Sequence, residues 1–175
     1  MNCSWTSCLA VIGLLLLGGC EKTVTTAAPQ PTNPIGPIPT RVQPKLPTIK
    51  VWLGSQELVT ELALTDPQIR TGMMFRQDIA ENEAMLFVFD RPDHRAFWMK
   101  NVSVPLSCAY IDPDGVIVEI HDMTPQETKP IESTSDRIQF VLETKQGWFG
   151  RNKVSTGTVV RTERGPLTET FFRRR

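Results

Sequence analysis

The run Phe97-Trp98-Met99-Lys100-Asn101 places an indole, an ammonium and a carboxamide side by side. Read as a strand, it puts Trp98 and Lys100 on one face and Phe97 and Met99 on the other. An aromatic wall with a cation and an amide beside it can hold a carboxylate, a phosphate or a sugar hydroxyl. The same residues also have a structural reading, in which Trp98 closes the core and the Lys100 stem lies over it. Arg76 falls at the end of a short predicted helix, where the dipole favours a guanidinium without any function. Glu143 sits on the face opposite Phe140 and Leu142 in an alternating run. A buried Arg76–Glu143 pair would be structural, whereas either residue lining a cleft could bind ligand. Arg76, Trp98, Lys100, Asn101 and Glu143 are therefore the candidate recognition surface.

Familiar catalytic spacings are missing. There is no Gly-x-Ser-x-Gly, no His-Glu-x-x-His, no glycine-rich phosphate loop and no cysteine pair for zinc. No catalytic residue, cofactor or metal site is assigned. With only His94 and His121, a metal site would need both to converge with Asp or Glu; the simpler reading is two surface histidines. The remaining enzymatic reading is an envelope hydrolase that joins Glu143 with Asp112, Asp114 or His121 in one cleft. A third reading is a purely structural or assembly role, which requires an exposed apolar patch. Between these, a binding module for a small polar ligand or a partner protein fits best, because no nucleophile and base are paired.

The elements that must position these residues begin downstream of an unusual leader. Residues 1–19 carry no charged side chain, and Leu9 to Leu17 forms an apolar block of secretory length. The block runs into Leu17-Gly18-Gly19-Cys20, which resembles a bacterial lipobox with Cys20 as the lipidated residue. The resemblance implies a membrane anchor through Cys20, and Glu21 in the next position points to the outer membrane of a two-membrane bacterium. Cys3 and Cys8 would leave with the leader, so Cys108 is the one remaining thiol and no intrachain disulfide can form. No cation or histidine adjoins it in sequence, so Cys108 reads as a small buried hydrophobe. Residues 20–47 hold prolines at 29, 31, 34, 37, 39, 44 and 47 and read as a stiff spacer.

The globular part is expected over residues 48–172, with a basic tail at 173–175. Ile49 to Leu53 and Leu58 to Leu64 alternate about Gly54-Ser55 and predict a hairpin. Thr65-Asp66-Pro67 predicts a helix over about 67–75. Met85 to Phe89 lacks a polar face and reads as a strand covered on both sides. Further strands are predicted at Ala96 to Met99, Leu106 to Ile111, Val116 to His121, Ile138 to Leu142 and Thr158 to Thr162. Asp112-Pro113-Asp114-Gly115 supplies a type I turn. Seven or so strands with one or two short helices give an α+β fold, mainly antiparallel β, in one compact domain.

The 175 residues carry 19 acids and 19 bases, yet residues 48–172 hold 13 bases against 18 acids, a net −5. That balance excludes a general nucleic-acid binder, whose affinity depends on clustered cations. The ordered landmarks Gly72-Met-Met-Phe-Arg76, Met85-Leu-Phe87, Trp98-Met-Lys-Asn101 with Pro105-Leu106, Asp114-Gly115, and Val141-Leu-Glu143 with Gly147 resemble domain-of-unknown-function family 192 over about residues 50–161. The resemblance implies a small, mostly β domain and brings no established activity. Ala84 and Met73 stand where that family favours Gly and Leu, and Ser107 and Thr158 stand where it favours Asp. The two missing carboxylates weaken any acid–base or metal mechanism that would use them.

Overall fold

A computed structural model describes residues 36–173. The predicted leader, Cys20, the linker up to residue 35, and Arg174 and Arg175 lie outside the described residues. The chain runs β1 (Thr48–Leu53), β2 (Gln56–Ala63), α1 (Asp66–Thr71), β3 (Glu83–Asp93), β4 (Ala96–Phe97), β5 (Leu106–Ile111), β6 (Ile117–Met123), β7 (Ile131–Glu132), β8 (Ile138–Lys145), α2 (Trp148–Arg151), β9 (Val160–Thr162), β10 (Gly165–Pro166) and α3 (Leu167–Phe172). Eight strands form one sheet in the order β10-β9-β1-β2-β3-β8-β5-β6, and β4 pairs with β7. The fold is α+β and mainly antiparallel, as predicted. The one parallel pairing among these strands, β2 with β3, is made possible by the α1 crossover.

The sheet curls until its ends approach. Ile117 N–H donates to Thr158 O at 2.9 Å, Gly157 N–H to Ile117 O at 2.8 Å, and Val160 N–H to Gly115 O at 2.8 Å. Gly115 is required here twice over, by its φ of +80° and because a Cβ would lie 3.0 Å from Val160 O. One core cluster fills the concave side with Val51, Leu58, Leu86, Ala109, Ile111, Phe140 and Leu142. A second cluster lies on the other face of the same central strands, around Met85, Phe87, Cys108, Tyr110 and Val141. The strands β3, β5 and β8 are thus buried on both faces, which is why Met85 to Phe89 shows no polar alternation.

Local sequence explains most of the differences from expectation. Thr65 and Gln68 make the capping box of α1, with Gln68 Oε1 accepting from Thr65 N–H at 3.0 Å and from Leu64 N–H at 2.9 Å. The helix ends at Thr71 rather than residue 75, because Gly72 (φ 46°, ψ −129°) turns the chain out of it. The strand expected at Ala96 to Met99 stops at Phe97; Asn101 adopts φ 58° and turns the chain. α2, α3 and the short strands β7 and β10 were not expected, and three helices stand among the described residues where one or two were predicted. They are two to six residues long, too short for periodicity to register. The segment ahead of β1 is fastened to the domain. Gln43 Nε2 donates to Gly72 O at 2.8 Å and Gln68 O at 3.2 Å, Lys45 Nζ lies 3.0 Å from Glu83 Oε1, and Leu62 N–H donates to Pro47 O at 3.0 Å.

Candidate functional site

Cross-strand register sets a row of side chains on the outer face of the sheet: Glu61, Met85, Glu143, Cys108 and His121, from β2, β3, β8, β5 and β6 in turn. Two carboxyls therefore flank Met85, and their surroundings differ. Glu61 takes Arg76 in a bidentate pair, Nη1 to Oε1 at 2.8 Å and Nη2 to Oε2 at 2.7 Å, and also accepts from Leu46 N–H at 2.8 Å. Burial raises its affinity for a proton, but Arg76, the Leu46 amide and Lys45 together hold it below the usual carboxyl range. Glu143 is 4% exposed, and its Oε2 is buried with no hydrogen-bond partner. Burial pushes its carboxyl up to about 8, so the group is largely protonated at neutral pH.

Glu143 borders a cavity of about 200 Å³. Its walls are apolar and aromatic, with Met73, Met74, Phe87, Phe97 and Trp98 among them, and Arg70 and Arg95 also line it. Local structure brings these together. Phe75 (φ 63°) and Asn101 (φ 58°) are both left-handed and are joined by Phe75 N–H donating to Asn101 O at 2.8 Å, which sets Met73 and Met74 over the sheet. Phe87 and Phe97 meet edge to face with centroids 4.9 Å apart. The Arg95 guanidinium lies 3.9 Å over the Phe89 ring and donates from Nη2 to Arg91 O at 2.6 Å, while its buried Nε has no partner. The segment Gly36 to Pro39 forms part of the wall.

The predicted recognition residues do not all converge. Trp98 and Glu143 line the cavity. Arg76 does not: its partner is Glu61 rather than Glu143, because β2 lies nearer the end of α1 and offers a carboxylate first. Lys100 Nζ stands 5.3 Å over the Trp98 ring and outside the cavity, and Asn101 Nδ2 lies 4.0 Å from Met74 Sδ. Strand alternation failed for these two because the chain turns after Phe97. Sequence reasoning missed Arg70, Arg95, Phe87 and Phe89. The signal available was their parity, since Phe87 and Phe89 share a face with Met85, the neighbour of Glu143.

The residues of the hydrolase reading lie apart from one another. Asp112 Oδ1 accepts from Asp114 N–H and Val116 N–H in the β5–β6 turn, and Asp114 pairs with Arg137 at the surface. His121 sits 3.1 Å from Glu119 Oε2 and stacks edge-on with Tyr110. Glu143 stands mid-strand opposite Cys108. Cys108 is buried, and burial pushes its thiol far above the usual range, with Glu143 adding to the effect. Ser107 donates its hydroxyl to Asp122 and accepts from Gly147 N–H at 2.8 Å, clipping β5 to the start of α2. Among the described residues, no group of three or more His, Cys, Asp or Glu could hold a metal ion. A second hollow beyond Trp98 has Asp122, Glu127 and Lys129 on its rim, and Glu127 is already engaged by the Thr128 and Lys129 amides.

Residues 49–162, which include both carboxyls of the row and the whole cavity wall downstream of β1, match the family described as DUF192, uncharacterized ACR. The chain belongs to the DUF192 family. Among solved structures it is similar to a candidate transcription regulator from Sinorhizobium meliloti, at 31% identity and TM-score 0.65, covering 69% of this chain and 97% of that one. It is also similar to a protein of unknown function from Novosphingobium aromaticivorans, at 26% identity and TM-score 0.64, covering 82% of this chain and 99% of that one. No curated protein matches it. DUF192 membership accounts for the landmark residues as fold positions: Gly72 turns the chain out of α1, Arg76 seals Glu61, and Gly147 opens α2.

Proposed function

We propose that this DUF192 chain is a lipid-anchored envelope protein whose globular domain binds a small ligand in the Glu143 cavity without turning it over. The carrying observation is Glu143 itself: a carboxyl 4% exposed, with an unpartnered buried oxygen, bordering an aromatic cavity of about 200 Å³. An unpaired polar atom in such a place costs about 1–3 kcal/mol, a penalty that a ligand offering a hydrogen bond removes. The lipobox-like Leu17-Gly18-Gly19-Cys20 and the proline-rich residues that follow support anchoring through Cys20, at the outer membrane, with residues 1–19 removed and residues 20–47 as spacer.

Two measurements test this. Full-length ¹⁵N-labelled protein in micelles is titrated with ring-sized probes: benzoate, benzylamine and benzyl alcohol. At least one is expected to give saturable amide shifts confined to residues 69–74, 95–98 and 141–145; scattered, non-saturating shifts from all three refute the binding site. Mass spectrometry of the mature protein is expected to show an acylated Cys20 as the first residue. A free thiol there, or a retained Met1, refutes the anchor.

A further inference from the structure

The cavity has a chemical preference built into it. Its lining carries the buried Arg95 guanidinium and one carboxyl, Glu143. Glu143 Oε2 has no hydrogen-bond partner, and burial is what raises the affinity of that carboxyl for a proton. The cavity thus presents a guanidinium and a protonated acid among apolar and aromatic walls. Arg95 Nε–H is a buried donor without an acceptor, and Arg95 as a whole is 8% exposed. A protonated Glu143 supplies a second donor. Two donors, one of them cationic, suit an anion, and the methionine and aromatic walls suit an apolar body.

Resting on the binding reading above, we propose that the ligand is a monocarboxylic acid with a ring-sized apolar body. Its carboxylate accepts from Arg95 Nε–H or from the Glu143 hydroxyl, and its body packs among Met73, Met74, Phe87 and Trp98. A cavity of about 150 Å³ accommodates benzene, so about 200 Å³ accommodates a molecule of about eight heavy atoms. Acid–carboxylate and guanidinium–carboxylate contacts are charge-assisted and are strengthened by the low dielectric of the site.

The pH response separates this class from its rivals. Glu143 is faced by Cys108 of β5, with His121 of β6 beyond it; by Met85 of β3, with the Glu61–Arg76 pair beyond that; and by Arg70 and Arg95 of the cavity wall. Glu119 and Tyr110 occupy the next row. Within this set, Glu143 is the group whose carboxyl is pushed up to about 8. As pH rises through that value, Glu143 becomes anionic and repels a bound carboxylate. Binding of an acid therefore weakens with rising pH, whereas binding of an ammonium strengthens.

The test uses the full chain in micelles and measures Kd for benzoate, benzylamine and benzyl alcohol at about pH 6.5 and 9.5, on either side of the Glu143 titration. Benzoate is expected to bind tightest at the lower pH and to weaken about tenfold or more at the higher. Glu143→Gln keeps a donor and cannot ionise, so it is expected to bind benzoate at both pH values within about threefold. Arg95→Gln is expected to weaken benzoate about tenfold while leaving benzyl alcohol nearly unchanged; should that variant fail to fold, the wild-type pH response and Glu143→Gln decide alone. Benzylamine binding more tightly than benzoate, or benzoate binding independent of pH, overturns the acid assignment and leaves the cavity as a binding site. Failure of all three probes to shift the cavity amides overturns the binding reading itself.

Discussion

Replacing Glu143 by Gln should change how stability depends on pH, and in a direction opposite to that of most carboxyl substitutions. In the unfolded chain the carboxyl titrates near its ordinary value of 4.5, whereas in the native state burial holds the proton until about 8. Between those values the native state binds more protons than the unfolded state, so stability falls as pH rises and levels off above about 8. The slope is about 1.4 kcal/mol per pH unit, and the whole interval amounts to roughly 5 kcal/mol, an upper bound because water entering the cavity solvates the carboxylate. The substituted carboxamide does not titrate, so this decline vanishes in the variant. That amide carries a constant cost of about 1–3 kcal/mol for buried groups without full partners. The variant is therefore expected to be equal to or less stable than wild type at pH 4.5 and more stable at pH 8. Urea unfolding followed by far-ultraviolet circular dichroism, at fixed ionic strength from about pH 4.5 to 9, reads this directly. Wild-type and Glu143→Gln profiles that run parallel across the interval refute the buried, protonated carboxyl.

The remaining expectations concern the neighbours of that group. Arg76→Met removes the bidentate partner of buried Glu61, leaving it the Leu46 amide and the exposed Lys45, and should destabilise the domain by up to about 3–5 kcal/mol in urea unfolding, with much of the loss recovered in the Glu61→Leu/Arg76→Met double variant; a single-variant loss below about 1 kcal/mol contradicts the ion-pair reading. Glu61 is held low by Arg76 despite its burial, so the stability it confers is present above pH 4.5 and is lost on acidification, and Arg76→Met should flatten that acid limb. Gly72→Ala forces a side chain into φ 46° with its Cβ 3.3 Å from the Phe87 ring, and should cost about 1–3 kcal/mol, read as a lowered urea midpoint. Cys108 should resist iodoacetamide at about pH 8 until the protein unfolds, as judged by peptide mapping; modification in the native state contradicts its burial among Tyr110, Glu143 and His121.

The sequence carried the sheet well where alternation was long. The β1–β2 hairpin, the doubly covered β3 and the Asp112 to Gly115 turn follow from runs of six residues or more and from turn chemistry that acts locally. It carried the short elements poorly, since α2 and β10 are specified by what they pack against rather than by their own pattern. The site was half legible for the same reason. The parity of Glu143 against Phe140 and Leu142 was readable, and Trp98 of the aromatic run lines the cavity. The partner of Arg76 was not readable, because Glu61 is set beside β3 by a parallel crossover and Glu143 by an antiparallel pairing with a strand far along the chain, neither of which local spacing encodes. Arg95 escaped notice because a charged residue in a turn normally faces solvent, whereas here the Phe89 ring and the Arg91 carbonyl draw it inward.

The fastening of residues 43–47 governs how a mechanical load enters the domain. Tension applied from upstream meets the side chain of Gln43 first, then Lys45 and Leu46, and reaches the β1 ladder only after all three have yielded. The first of these anchors grips Gly72 at the end of α1, beside Met73 and Met74. The first of these contacts is thus hinged to the roof of the cavity, so a pull on Gln43 disturbs that roof before it strains a single rung of the sheet.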